Sequence, residues 1–126
     1  GASSLGSRLR VLGRVDDADL ASLYRGAALF AFPSIHEGFG IPVLEAMALG
    51  TPVVATDVPA LVEVAGDAAR LVAAEPGDLA EGLRAVVADI AYARSLAERG
   101  LRRAAEFDWD RSARLIWDIY LELAGG

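Results

Sequence analysis

The residues with the most chemistry to offer fall between Pro33 and Pro52, in the run PSIHEGFGIPVLEAMALGTP. Two carboxylates, Glu37 and Glu45, stand there with seven residues between them. Glu37 sits beside Gly38 and Gly40 in a loop. Glu45 sits in an apolar helical stretch, Ile41 to Leu49, with no other charged or hydroxyl residue. A strand that passes through a glycine-containing loop into a short helix suits an anionic ligand at the helix start. Backbone N–H groups point outward there, the helix dipole favours negative charge, and Gly38 and Gly40 put no side chain in the way. The ligand this chemistry expects is phosphorylated. A buried carboxylate at Glu45 needs hydrogen-bond donors, and sugar or ribose hydroxyls supply them. The plainer alternative is a glutamate that favours the helix dipole or bonds nearby backbone. Glu37 likewise reads either as a ligand group or as a solvated turn residue, and His36 either as a ligand contact or as a loop-surface histidine.

The elements that must hold these groups follow from apolar spacing and turn residues. Leu9 to Leu12 reads as a short strand ended by Gly13. Asp16 or Asp17 caps a helix from Ala18 to Gly26 whose Leu20, Leu23 and Tyr24 form one apolar face. The continuous apolar run Ala28 to Phe32 reads as a strand covered on both faces, as in a parallel sheet. The central helix then stops at Gly50 and Pro52, ahead of a strand from Val53 to Thr56. A short helix from Ala60 to Ala65 ends at Gly66, and Ala69 to Ala73 reads as a fourth strand. Three helical segments follow, Leu79 to Ile90, Tyr92 to Glu106 and Arg111 to Leu123, with breaks at Ala91 and at Phe107 to Asp110. This order predicts an α/β fold, a doubly wound parallel sheet with a helical C-terminal tail. Ligands of such sheets bind beyond the carboxyl ends of the strands, where the loop Ser34 to Gly40 emerges.

Composition narrows the function further. A chain of 126 residues is a single domain's worth, large enough for a core. It has no cysteine, so disulfides, thiolate metal sites and a cysteine nucleophile are excluded, and a cytoplasmic setting is expected. The net charge is -6 and every basic residue is arginine, which argues against nucleic acid as a partner. No apolar run reaches the length of a membrane span. Asp17-Ala18-Asp19 and Asp108-Trp109-Asp110 imitate an Asp-x-Asp metal site, but each begins a helix, where aspartate serves as a cap or first-turn residue. Arg99, Arg102 and Arg103 read as a solvated helix face.

An ordered series of segments resembles the donor-binding signature of family 4 glycosyltransferases, a retaining group with the two-domain GT-B fold. It comprises Leu12-Gly13-Arg14-Val15, Phe32-Pro33-Ser34, Glu37-Gly38-Phe39-Gly40, Leu44-Glu45-Ala46 and Gly50-Thr51-Pro52-Val53-Val54. Later landmarks are Glu63-Val64, Gly66-Asp67-Ala68-Ala69, Phe107-Asp108-Trp109 and Tyr120. The resemblance implies that Glu37 lies near the donor sugar and diphosphate as the catalytic-site glutamate, and that Glu45 holds the ribose hydroxyls. It places the backbone of Gly38, Phe39 and Gly40 against sugar and phosphates, and the loop Gly13, Arg14, Val15 near the base. His36 and Ile41 join them as donor contacts. The substrate would be a nucleotide-diphosphate sugar, with no further cofactor and no metal.

The same resemblance implies what lies outside the chain. A GT-B enzyme has an N-terminal acceptor domain, and its donor domain normally begins with two further β-α units carrying an arginine and a lysine that clamp the diphosphate. The 126 residues, which contain no lysine, correspond to the later part of the C-terminal donor domain and are expected to be inactive alone. The strand Leu9 to Leu12 would then lack its inward neighbours, so the isolated piece is expected either to re-pair its strands directly or to fill the gap by self-association with a second copy. A non-catalytic nucleotide-binding or assembly module of the same fold is the alternative.

Overall fold

The computed structural model of the chain describes residues 15–33 and 40–107, together with positions 111, 114, 117, 118, 121, 122 and 124, which are all helical. The expected strand Leu9 to Leu12, the loop Ser34 to Phe39 and the aspartates of Asp108-Trp109-Asp110 lie outside the described residues.

Helix α1 spans Asp17–Gly26. Its cap is Asp16, whose carboxylate accepts from the Asp19 amide at 2.9 Å, while Asp17 and Asp19 occupy the first turn where the dipole favours them. Strand β1 (Phe30–Phe32) leads toward helix α2 (Ile41–Ala48), followed by strand β2 (Val53–Thr56) and helix α3 (Pro59–Ala65). A 3₁₀ turn at Gly66–Ala68, strand β3 (Arg70–Val72) and helices α4 (Pro76–Ala88) and α5 (Ile90–Glu106) complete the order.

The three strands run parallel in the order β1-β2-β3, with Phe30 opposite Val53 and Val54 opposite Arg70. This is the doubly wound α/β arrangement expected. All four residues of β2 are buried, because it is central among the described strands and helices cover both faces. Alternation along it divides the core. Val53 and Ala55 pack with Val43, Met47, Leu61 and Val64 of α2 and α3, whereas Val54 packs with Val86 of α4 and Leu96 of α5. Helix α4 lies close to the sheet because Gly82 faces it: a Cβ there would come within 2.7 Å of Val72 Cγ1. Helix α5 serves both faces. Its first half joins α4, and Gly100 farther along lets it approach Met47 of α2, where a Cβ would meet Met47 Cγ at 3.2 Å.

Several boundaries differ from the sequence expectation for identifiable reasons. The break between the two long helices falls at Asp89, not Ala91. The Asp89 carboxylate accepts from the Tyr92 amide at 3.0 Å and starts α5 as an N-cap. Helix α4 starts three residues before Leu79, with Pro76 in its first turn, where a missing N–H costs nothing. Strand β1 is shorter than Ala28 to Phe32 and is not covered on both faces: Ala31 is exposed between half-buried Phe30 and Phe32. Strand β3 is likewise confined to Arg70–Val72. Arg103 is no solvated residue. It is half-buried, and its Nε–H and Nη2–H donate to the carbonyls of Val64 (2.9 Å) and Glu63 (2.7 Å) at the end of α3.

Candidate functional site between helices α1 and α2

The start of α2 is shaped by Gly40. Its φ of +62° is a left-handed conformation that favours glycine, and a Cβ would in addition meet Leu61 Cδ2 at 3.0 Å and Val64 Cγ2 at 3.2 Å. Both constraints call for glycine at the start of the helix. The carbonyl of Gly40 accepts from the amides of Val43 (3.1 Å) and Leu44 (3.2 Å), and Pro42 has no N–H. Of the first-turn donors that a helix start offers, those outside these bonds are the amides of Gly40 and Ile41. The anion cradle expected at this helix is therefore narrow, with Gly40 and Ile41 as its described part.

The end of α2 is fixed by three consecutive residues with separate tasks. Gly50, at φ +74°, allows a left-handed exit. The amide of Gly50 donates to the Met47 carbonyl at 3.0 Å and that of Thr51 to the Ala46 carbonyl at 3.0 Å, the paired bonds of a Schellman motif. The buried Thr51 hydroxyl then donates to the backbone carbonyl of Tyr24 at 2.6 Å, which ties α1 to the end of α2. The Pro52 carbonyl accepts from the Phe30 amide at 2.8 Å and opens the β1–β2 ladder. Gly50-Thr51-Pro52 thus closes one helix, holds another and starts the sheet.

Glu45 projects from α2 into the groove that this arrangement creates. It is exposed, so the expectation of a buried carboxylate in need of donors is corrected: solvent satisfies it when no ligand is there. With Asp17, Leu20, Ala21, Tyr24 and Leu49 it lines a cavity of about 240 Å³ between α1 and α2. This is below the ~300–1,000 Å³ of a whole-ligand pocket, and suits one ring of a larger ligand. Two carboxylates and a phenol form the polar part of its described wall, and no cation does. Such a wall repels phosphate and favours a ligand that donates hydrogen bonds from hydroxyls.

Tyr24 lines this wall from α1. It is the buried residue of α1, its ring meeting Phe30 edge-on at 5.2 Å between centroids. Burial, and secondarily the negative charge of Glu45, push the phenol above its ordinary pKa, so it keeps its proton at neutral pH. Sequence reasoning placed Tyr24 on an apolar helix face and missed this polar end. Leu23, expected on the same apolar face, is 46% exposed, so the buried stripe of α1 runs through Leu20 and Tyr24.

Of the other expected site residues, Gly13, Arg14, His36, Glu37, Gly38 and Phe39 lie outside the described residues. Gly40, Ile41 and Glu45 are brought together on the first turns of α2.

Residues 2–103 match the family described as "Glycosyl transferases group 1". The chain belongs to that family. Among its relatives, the O-antigen chain mannosyltransferase B of Escherichia coli is 41% identical over 105 residues, covering 81% of this chain and 27% of that protein. The phosphatidyl-myo-inositol mannosyltransferase of Mycolicibacterium smegmatis is 38% identical over 128 residues, covering 98% of this chain and 33% of that one. Among solved structures, sucrose-phosphate synthase from Thermosynechococcus elongatus superposes with a TM-score of 0.77 at 34% identity, covering 98% of this chain and 32% of that one. The chain thus spans about a third or less of the length of each. The fold agrees with the later part of a GT-B C-terminal domain.

Proposed function

We propose that the protein carrying this chain is a retaining family 4 glycosyltransferase, and that the chain is part of its nucleotide-sugar binding domain. A sugar passes from a nucleotide diphosphate to an acceptor hydroxyl. The bond from the anomeric carbon to the diphosphate oxygen breaks, a bond to the acceptor oxygen forms, and the acceptor's proton is released. The anomeric configuration is retained, and the main task of the protein is to stabilise the departing diphosphate. The match of residues 2–103 to group 1 glycosyl transferases, together with relatives named mannosyltransferases, supports the reading, and the observation that carries it is the placement of Glu45. That carboxylate faces an acid-lined cavity of ring size, one turn below the amides of Gly40 and Ile41. Ribose hydroxyls belong in the cavity and the diphosphate at the helix start. Glu37, His36 and the loop Gly38 to Gly40 would complete the sugar and phosphate side, and Gly13 and Arg14 the base side.

The reaction needs no metal in this reading, it takes place in the cytoplasm, and the 126 residues alone turn over no substrate. Among the described residues, no helix is long and apolar enough to cross a membrane. Calorimetric titration of the full-length protein with UDP and with GDP tests the proposal. One of them is expected to bind, and Glu45→Ala to weaken it about tenfold or more, the loss of hydrogen bonds to a charged group. Glu37→Ala is expected to lower turnover more than nucleotide affinity. Binding of neither nucleotide overturns the proposal, and binding without any sugar transfer points instead to a non-catalytic nucleotide-binding module.

A further inference from the structure

Resting on the reading of Glu45 as the ribose ligand, we infer that Tyr24 is its positioning residue: as a ligand orders Glu45, the phenol hydroxyl takes up its carboxylate and holds it toward ligand hydroxyls in the α1–α2 cavity. Three observations on Tyr24 meet here. Its side chain and that of Glu45 line one cavity of about 240 Å³, from different helices. Its backbone is pinned, since the carbonyl accepts both the buried Thr51 hydroxyl at 2.6 Å and the Ala27 amide at 3.2 Å. Its ring is fixed edge-on against Phe30, and the residue is 8% exposed.

An exposed glutamate on a helix has several staggered conformers to choose from, and ordering it on ligand binding costs conformational entropy. A rigidly mounted phenol on the opposite wall reduces that cost. It offers one O–H donor to one carboxylate oxygen and leaves the remaining lone pairs for the ligand. Burial, and secondarily the charge of Glu45, keep the phenol protonated and so a donor. Thr51 enters the chain of contacts one step back, because it fixes the end of α1 on which Tyr24 stands. Nothing else in α1 is buried to do this. The tyrosine is thus more than core. Its ring serves packing, and its hydroxyl serves the site.

The test is a double-mutant cycle on nucleotide affinity in the full-length protein, with UDP or GDP, whichever the unaltered protein binds. Tyr24→Phe keeps the ring against Phe30 and removes only the hydroxyl. It is expected to weaken binding about three- to tenfold, the range for one net hydrogen bond, with an unchanged melting temperature. Glu45→Gln also weakens binding, and the double variant is expected to bind no more weakly than Glu45→Gln alone, because the phenol acts through the carboxylate. Thr51→Val is expected to weaken binding in the same direction, and Thr51→Ser to restore it. If Glu45→Gln weakens binding but Tyr24→Phe does not, or if the two losses multiply in the double variant, the inference falls and the ribose reading of Glu45 stands. If Glu45→Gln binds like the unaltered protein, the ribose reading itself falls and takes the inference with it.

Discussion

The groove between α1 and α2 and the seam where α5 crosses α2 and α3 lie on the same side of the sheet, yet they are held in opposite ways. At the seam the backbone itself comes close. Gly100 faces Met47, Arg103 spans to two carbonyls of α3, its guanidinium stands 5.3 Å from the centre of the Phe107 ring, and Phe107 is buried in the core. At the groove, among the described residues, α1 is attached through one buried residue, Tyr24, with partly buried Leu20 beside it, and the space left over is the cavity. Dense packing leaves no room for a ligand, and the thinly attached wall leaves room for one. Changes at the seam should therefore alter stability with little effect on binding, and changes at the groove should do the reverse.

The largest effect is expected from Gly100→Leu. A Cβ alone would already stand 3.2 Å from Met47 Cγ and 3.3 Å from Met47 Cβ, and three further carbons have no space. Overpacking of this kind costs about 3 kcal/mol, to be read from urea unfolding. A loss under about 1 kcal/mol would show that α5 slides without difficulty, and that the seam is looser than its contacts suggest. Next comes Arg103→Met, which keeps the length of the stem and removes both donors from the carbonyls of Glu63 and Val64. Hydrogen bonds from a charged donor contribute about 1.5–3 kcal/mol. A smaller loss is expected here because water reaches the half-buried site. Equal nucleotide affinity in both variants, at temperatures where they stay folded, would sharpen the contrast with the groove.

How much of this was legible in the sequence depended on the range of the interaction. Gly50 announced the end of α2 because a left-handed exit is a local need, met by bonds within five residues. The pair Asp16-Asp17 likewise marked the start of α1, and of the two it is Asp16 that caps it. Asp89 carried the same signal for α5, but the apolar run through Ile90 hid it, and the break was expected two residues late. What could not be read were contacts between distant residues. Thr51 reaches Tyr24 across 27 residues, and Arg103 reaches Val64 across 39. A hydroxyl in a turn and an arginine on an amphipathic helix look the same whether they face solvent or a carbonyl from elsewhere. The exposure of Glu45 was hidden for the same reason. Its apolar neighbours on α2 suggested burial, whereas the three- and four-residue spacing turns Val43, Leu44, Ala46 and Met47 inward and leaves position 45 outside.

The smallest effect on stability, and the one that separates the two regions best, is expected from Asp16→Ala. The Asp16 carboxylate satisfies the Asp19 amide at 2.9 Å, and loss of such a cap costs about 1 kcal/mol of helix stability. Because α1 is joined to the core mainly at its far end, through Tyr24, its first turn opens without unfolding the rest. Global unfolding in urea should then change little, while hydrogen exchange at the Asp19 and Leu20 amides speeds up. Asp17 and Leu20, in or next to that turn, line the cavity with Glu45, so nucleotide affinity should fall although no ligand contact has been removed. Faster exchange with unchanged affinity would mean that the rim of α1 is no part of the binding wall, and that the site rests on α2 alone. A full cap penalty in global unfolding would instead mean that α1 and the core open as one unit, and the division between a rigid seam and a loosely hung groove would not hold.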